Sequence, residues 1–577
     1  MDSIKNSPKK NNFINLKRTL NETDLKSEDR ETVGGKAQGL MAMRNLIVSL
    51  NEEYFPDIMI AIPSMTVVTT DVFDAFIKRN RLHEIAFSAL SDSRIAHAFQ
   101  QAEMPFEVLG LLRNLIEKVT CPLAVRSSGM LEDITNRPFA GVYQTKMIPN
   151  NQYDADTRFQ KLVEAIKYVW ASTYYKISRD YCKAIGRTIQ EEKMAVIIQE
   201  IVGKRYRDRY YPELSGVARS YNFYPVKPAR SVDRVVDLAL GMGKTVVDGG
   251  KTWTYSPEFP QMPPPFESIH ELLQETQNKF WVVNLGKLEE YNPIKETEFM
   301  FQKNLLDAEE DKSLRFLAST YDPQSDRLSI GTGMPGPRAL TFAPLLSINE
   351  VPFNSLIKTL LEECEKKLQC PVEIEFAMTF NPHYFGFLQV RPLLLPQGDL
   401  QVTQEDLENN EVLAASEMVL GNGLIQDICD IVYVLPQKFE LKYTRQIATQ
   451  LEGINDTLIA LGRPYLLIVF GRLGTFDPWL GIPISWGQIS GARVIVEATQ
   501  DNVKVELSQG SHYFHNIINL GVQYFSMPFT STYRIDWDWL AQQPIIQETE
   551  FIRHVALPAA LKIKADGRTS RGVIFKT

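Results

Sequence analysis

The sequence predicts an α/β (α+β) chain of more than one domain, on three observations. Apolar runs of strand length, such as "LAVR" (123–126) and "MAVIIQEIV" (194–202), alternate with segments whose apolar residues repeat every three to four positions. At 577 residues the chain is too long for one core, and ordinary domain sizes give roughly three or four units. A polar, acidic stretch, "QGDLQVTQEDLENNE", separates a long first part from about 170 residues at the end. These signals give a frayed polar terminus over 1–15, a first domain over 16–396, a linker over 397–411 and a second domain over 412–577.

Composition narrows the function classes. Hydrophobic residues at 44% and charged residues at 23% are ordinary globular usage, so most of the chain should fold. A net charge of -8 argues against a general binder of nucleic acid or anionic membrane, though not against a local basic pocket. The five cysteines form no CxxC pair and read as reduced thiols of a cytoplasmic protein. The lysines near the N-terminus have no apolar stretch behind them, so no signal peptide is expected. No apolar run approaches the ~18 residues that span a membrane.

Along the chain, "MIAIPSMTVVTT" (59–70) reads as one strong strand, and 159–186 as one long amphipathic helix through Leu162, Ile166, Val169 and Trp170. "RVVDLAL" (234–240) is a further strand, and "SPEFPQMPPPF" (256–266) a proline-rich surface connection.

Four stretches carry chemistry. In "ETVGGKAQGL" (31–40) two glycines allow close backbone approach to a ligand and Lys36 supplies a point charge, although a structural turn would read the same. In "LAVRSSGMLED" (123–133) Arg126 offers a planar fork for phosphate oxygens beside the Ser127 and Ser128 hydroxyls. A salt bridge from Arg126 to Glu132 or Asp133 would explain it equally well. In "VEIEF" (372–376) and "YFGFLQVRP" (384–392), strand alternation puts Glu373 and Glu375 on one face of the first strand and Gln389 and Arg391 on one face of the second. If the two strands pair, two carboxylates, an amide and a guanidinium meet, which suits magnesium plus phosphate or a merely wet hairpin face. For "LGMGKTVVDGGKTW" (240–253), a Walker A loop would need glycine at the preceding Leu238 and a dinucleotide fingerprint glycine at Val246, so neither applies and a glycine-rich loop over phosphates or a tight turn remains.

Taken in order, these residues resemble the ATP-binding half of phosphoenolpyruvate synthase and pyruvate phosphate dikinase, a family of the ATP-grasp class. "LAVRSSGMLEDITNRPFAGVYQT" follows its VRSSA-x-x-ED-x-x-x-x-SFAGQ block, "YVWASTYYKISRDYCKAIG" its Trp-Ala-Ser helix, and "VEIEFA…FLQVRP" its closing hairpin, over roughly residues 30–395. The resemblance implies ATP and Mg2+ as cofactors. It implies that Lys36, Arg126 and Arg391 hold phosphates, that Glu375 and Gln389 hold magnesium with Glu373 beside them, and that the backbone of Gln199, Glu200 and Val202 meets adenine. Two departures stand out: Lys244 occupies a position where the family has an acid, and 321–346 has no counterpart.

The family's pyruvate-binding barrel needs ~250 residues, more than follow position 411. Its swivelling phosphohistidine domain fits better: "SEMVLGNGLIQDICDIVYV" (416–434) is similar to its opening and "ALKIKADGRTSRGVIF" (560–575) to its closing hairpin. Aligning His512 with the carrier histidine brings Gly521, Val522, Tyr524 and Phe525 into register, but the family's Ala-Ala-x-x-Ala-Arg-Glu run is absent. His512 would equally serve to cap or pack a helix. Segment 470–497, with Arg472, Asp477 and two tryptophans, suits a ligand loop or a packed Gly/Pro-rich turn, and "RIDWDWL" (534–540) reads as a half-exposed strand.

The sequence thus leads to a magnesium- and ATP-dependent phosphotransferase with Lys36, Arg126 and His512 as catalytic residues and an unnamed small-molecule or protein acceptor. An ATP-grasp ligase working through an acyl phosphate and a nucleotide-binding regulatory module remain alternatives.

Overall fold

A computed structural model describes residues 32–88, 90–132, 141–184, 187–223, 225–264, 266, 268–288, 290–393, 400–475, 479, 481–500 and 521–576, and the backbone of 14–15. His512, Asp477 and Asp133 lie outside the described residues. The class is the mixed α/β that the sequence predicts, consistent with an ATP-grasp-like nucleotide-binding domain followed by a smaller α/β region. Among the described residues no helix is long and apolar enough to cross a membrane. None of the five cysteines is in a disulfide.

The first part sets a five-stranded sheet beside a six-stranded one. In the first, Leu123–Gly129 lies between Met194–Glu200 and Thr145–Ile148. In the second, the hairpin Val372–Thr379 and Tyr384–Pro392 occupies the middle, next to Leu214–Arg219. Helix Gly34–Glu53 contacts strands of both sheets and ties them together. The stretch 59–70 is two short strands, Met59–Ala61 and Met65–Val68, in different sheets. Pro63 between them has no N–H to give a ladder, so the apolar run breaks there and the chain changes sheet.

The amphipathic stretch is likewise two helices, Ala155–Ser172 and Lys176–Ala184. Its buried Trp170 packs on Phe73 and Phe76, with ring centroids 5.8 and 4.8 Å away, and donates its indole N–H to Met194 O at 3.1 Å. Ser172 accepts the Gln144 N–H at 3.1 Å, which positions the strand whose Thr145 pairs with Arg126.

The second part carries a seven-stranded sheet whose four central strands run parallel, and a four-stranded antiparallel sheet closed by the hairpin Lys562–Asp566 and Arg571–Phe575. Within the polar stretch before it, Gln404–Leu407 is one helical turn, and Val402 and Leu407 pack with Ala415 and Val573. "RIDWDWL" forms a helix over Trp537–Ala541, not a strand. Asp536 caps it by accepting the Trp539 N–H at 2.9 Å, a local bond that outweighs the alternating pattern.

Candidate functional site

The Gly-Gly-Lys turn opens helix Gly34–Glu53 directly against the Arg-Ser-Ser strand. Gly34 has φ +74°, and a Cβ there would stand 1.8 Å from Ser128 O, so only glycine fits. Ser128 Oγ donates to Val33 O at 2.8 Å and accepts the Ala37 N–H at 3.1 Å. This contact brings Lys36 Nζ to within 3.1 Å of Ser127 Oγ and 2.7 Å of Glu132 Oε1. Glu132 therefore meets Lys36, while its other oxygen accepts the Gly129 N–H at 2.7 Å.

Arg126 reaches across to the hairpin of the other sheet. The two strands do pair, and the register places Glu373 opposite Arg391 and Glu375 opposite Gln389. Arg126 donates to Gln389 Oε1 at 2.7 Å, Leu388 O at 2.8 Å, Glu375 Oε2 at 3.2 Å and Gln199 Oε1 at 3.4 Å. Glu373 sits deeper. One of its oxygens pairs with Arg391 and the other accepts from Arg219 Nε at 2.6 Å, while Arg219 also pairs with Asp237 at 2.6 Å. Glu373 is thus a buried partner for two guanidiniums rather than part of the cavity wall. Arg219 was not legible in the sequence, because its role depends on a strand partner more than 150 residues away.

These groups open into a cavity of about 470 Å³, within the usual range for small-molecule sites. Lys36, Arg126, Glu375, Gln389 and Arg391 line one side, and Gln199, Glu200, Ile201 and Val202 another. Lys244 also lines it, 2.8 Å from Asp248 and 3.0 Å from Glu296. Burial works against its charge, but the two acids outweigh it and hold the ammonium above its ordinary pKa. Burial pushes both acids upward. A buried lysine, Lys146, pins the adjoining loop through Glu298 at 2.6 Å and the carbonyls of Pro293 and Lys295.

Could magnesium fit? Among the described residues no three His, Cys, Asp or Glu side chains form a metal cluster. However, Glu375 Oε2 and Gln389 Oε1 converge on the same nitrogen of Arg126, which places two hard oxygens side by side. Magnesium held by one or two protein oxygens, with phosphate and water completing the shell, suits that pair.

Beneath the Arg-Ser-Ser turn, Glu192 accepts the Met130 N–H at 2.7 Å. Burial, and then the Glu132 carboxylate, push its pKa up to about 8 from 4.5. A carboxyl raised in the folded state stabilises while protonated. That contribution is complete below the unfolded value and is lost as pH rises through about 8. Tm is therefore expected to fall between roughly pH 4.5 and 8 and to level off above that, a loss equivalent to a few kcal/mol. Glu192→Gln should flatten that limb; thermal melts across the window check it, and an unchanged slope in the variant refutes it.

Comparison with known proteins adds to this geometry. A family model described as pyruvate phosphate dikinase, AMP/ATP-binding domain, matches residues 30–410. An uncharacterized phosphotransferase, YvkC of Bacillus subtilis (strain 168), is 25% identical over 193 residues, which is 33% of this chain and 20% of that protein. The match spans only a fifth of that relative's length. The family model covers well over half of the chain and takes in every cavity residue of the first part, and on that ground the chain belongs to the pyruvate phosphate dikinase AMP/ATP-binding domain family.

Proposed function

We propose that this protein is a magnesium- and ATP-dependent phosphotransferase in which phosphate is relayed through His512 to a separate acceptor. The Arg126 node carries the reading. Its guanidinium is held ready by Gln389, Leu388 O and Glu375, within one cavity with Lys36 and Arg391. A triphosphate would draw Arg126 away from Glu375, leaving that carboxylate uncompensated unless a divalent cation enters with the nucleotide. Magnesium bound with ATP neutralises phosphate charge there; Lys36, Arg126 and Arg391 hold and orient the phosphates, and Glu373 with Arg219 keeps Arg391 in place. Catalysis then rests on positioning and charge neutralisation. The adenine lies on the side of Gln199, Glu200 and Val202. In the transfer step an imidazole nitrogen of His512 forms a bond to phosphorus as the bond to the leaving phosphate oxygen breaks, and the acceptor later takes the phosphoryl group from nitrogen.

ATP labelled separately at the β and γ phosphates tests this. Acid-labile, alkali-stable label is expected on the wild type and on His515→Ala but not on His512→Ala. Label persisting on His512→Ala, or absent from all three, removes the carrier role. Release of phosphate that depends on a carboxylic acid and an amine would instead establish the ligase reading.

A further inference from the structure

The cavity is not closed by the first part of the chain alone. Thr475, Ile484, Ser485, Trp486 and Gln488, all from the second part, line it together with Ile177 and Tyr181 of helix Lys176–Ala184. We propose that the nucleotide site is shared between the two parts, with Thr475 and the 483–488 turn forming its outer wall, so that binding the nucleotide and bringing the two parts together are a single event. The inference rests on the nucleotide reading above and extends it to residues outside the matched family region.

The wall is built, not merely adjacent. Ser485 donates its N–H and Oγ to Gln488 Oε1 at 2.8 and 3.1 Å. Gln488 donates to Glu452 at 3.0 Å, and Glu452 pairs at 2.8 Å with Lys176, which also holds Asp180 at 2.8 Å. The fully buried Asn455 fixes the same turn, donating to Gly487 O at 3.2 Å and accepting from Gly491 N at 3.0 Å. The approach is tight at Gly487, where an added Cβ would stand 2.6 Å from Asp180 Cβ. A contact that short lies near the backbone of helix Lys176–Ala184, so any side chain at 487 must push the helix and the turn apart.

The chemistry of the wall suits a nucleoside. Ile177, Tyr181, Ile484 and Trp486 stand with Met147, Ile201 and Met300 around the cavity, an apolar lining for a flat base. Thr475, Ser485 and Gln488 add hydroxyl and amide groups for ribose or base edges. A ligand touching both parts favours their apposition by its differential affinity, and apposition tightens the ligand by the same factor.

Gly487→Val provides the wedge without removing any cavity group. Calorimetry with ATP and saturating magnesium should show the wild type binding and a still cooperatively melting Gly487→Val weakened about tenfold or more. Gly487→Val with Asp180→Gly, which removes the colliding Cβ, should recover most of that loss. Hydrogen exchange on the wild type gives an independent reading, since ATP should raise protection over both 176–184 and 481–489. Wild-type affinity in a folded Gly487→Val, or protection confined to the first part, overturns the shared wall and leaves the nucleotide reading standing. A wild type that does not bind ATP removes the nucleotide reading, and this inference with it.

Discussion

Arg126→Ala is expected to weaken ATP binding by at least about a hundredfold, the loss of two charge-assisted hydrogen bonds at ~1.5–3 kcal/mol each. The fold should survive. Arg126 is 12% exposed and Glu375 15%, so water can reach the carboxylate left behind, and the stability cost should stay near ~1–3 kcal/mol. Arg391→Ala is a poorer probe. It leaves Glu373, with a fully buried side chain, to Arg219 alone, and stripping a buried pair of one partner costs about 3–5 kcal/mol. Calorimetry beside thermal melts separates the two cases. An Arg126→Ala protein that binds ATP as tightly as the wild type would end the phosphate assignment.

Glu375→Gln is expected to cut ATP turnover on the order of 100-fold while moving Tm little. The substitution keeps the volume and an oxygen that can still accept from Arg126, but it removes the charge that a divalent cation needs. The magnesium concentration for half-maximal rate should rise with it, a shift that mere loosening of the hairpin would not produce. Normal turnover at ordinary magnesium would reduce the hairpin to a hydrated surface.

The strongest parts of the site were legible because they depend on short-range rules. Alternation along 372–376 and 384–392 brings Glu373, Glu375, Gln389 and Arg391 to one surface if the strands pair, and the observed pairing sets Glu375 opposite Gln389. The Gly-Gly-Lys and Arg-Ser-Ser stretches are informative for a steric reason, since Gly34 and Ser128 fit against each other. What escaped the sequence depends on distant partners. Along the chain Glu132 lies close to Arg126, and only the fold gives it to Lys36 instead. Lys146 looks like a surface lysine until Glu298 is brought to it, and the choice between ligand loop and packed turn for 470–497 did not tell that Thr475 and Ile484 to Trp486 line a cavity of the first part. The strand expected at 534–540 fails because alternation measures exposure, not backbone; the capping bond of Asp536 decides the conformation. The N-terminal terminus over 1–13 and the His512 register fall outside the described residues.

The cavity's cations come already matched. Lys36 is held by Glu132, Arg126 by Glu375, Lys244 by Asp248 and Glu296, and Arg391 by Glu373. A bare polyanion entering such a cavity must break ion pairs and leave carboxylates stranded, whereas a chelated one brings the replacement charge with it. The arrangement therefore acts as a filter in a mixture of small phosphates. Inorganic phosphate, metal-free nucleotides and other unchelated polyanions should compete poorly with the magnesium complex, even though the lining contains four cationic side chains.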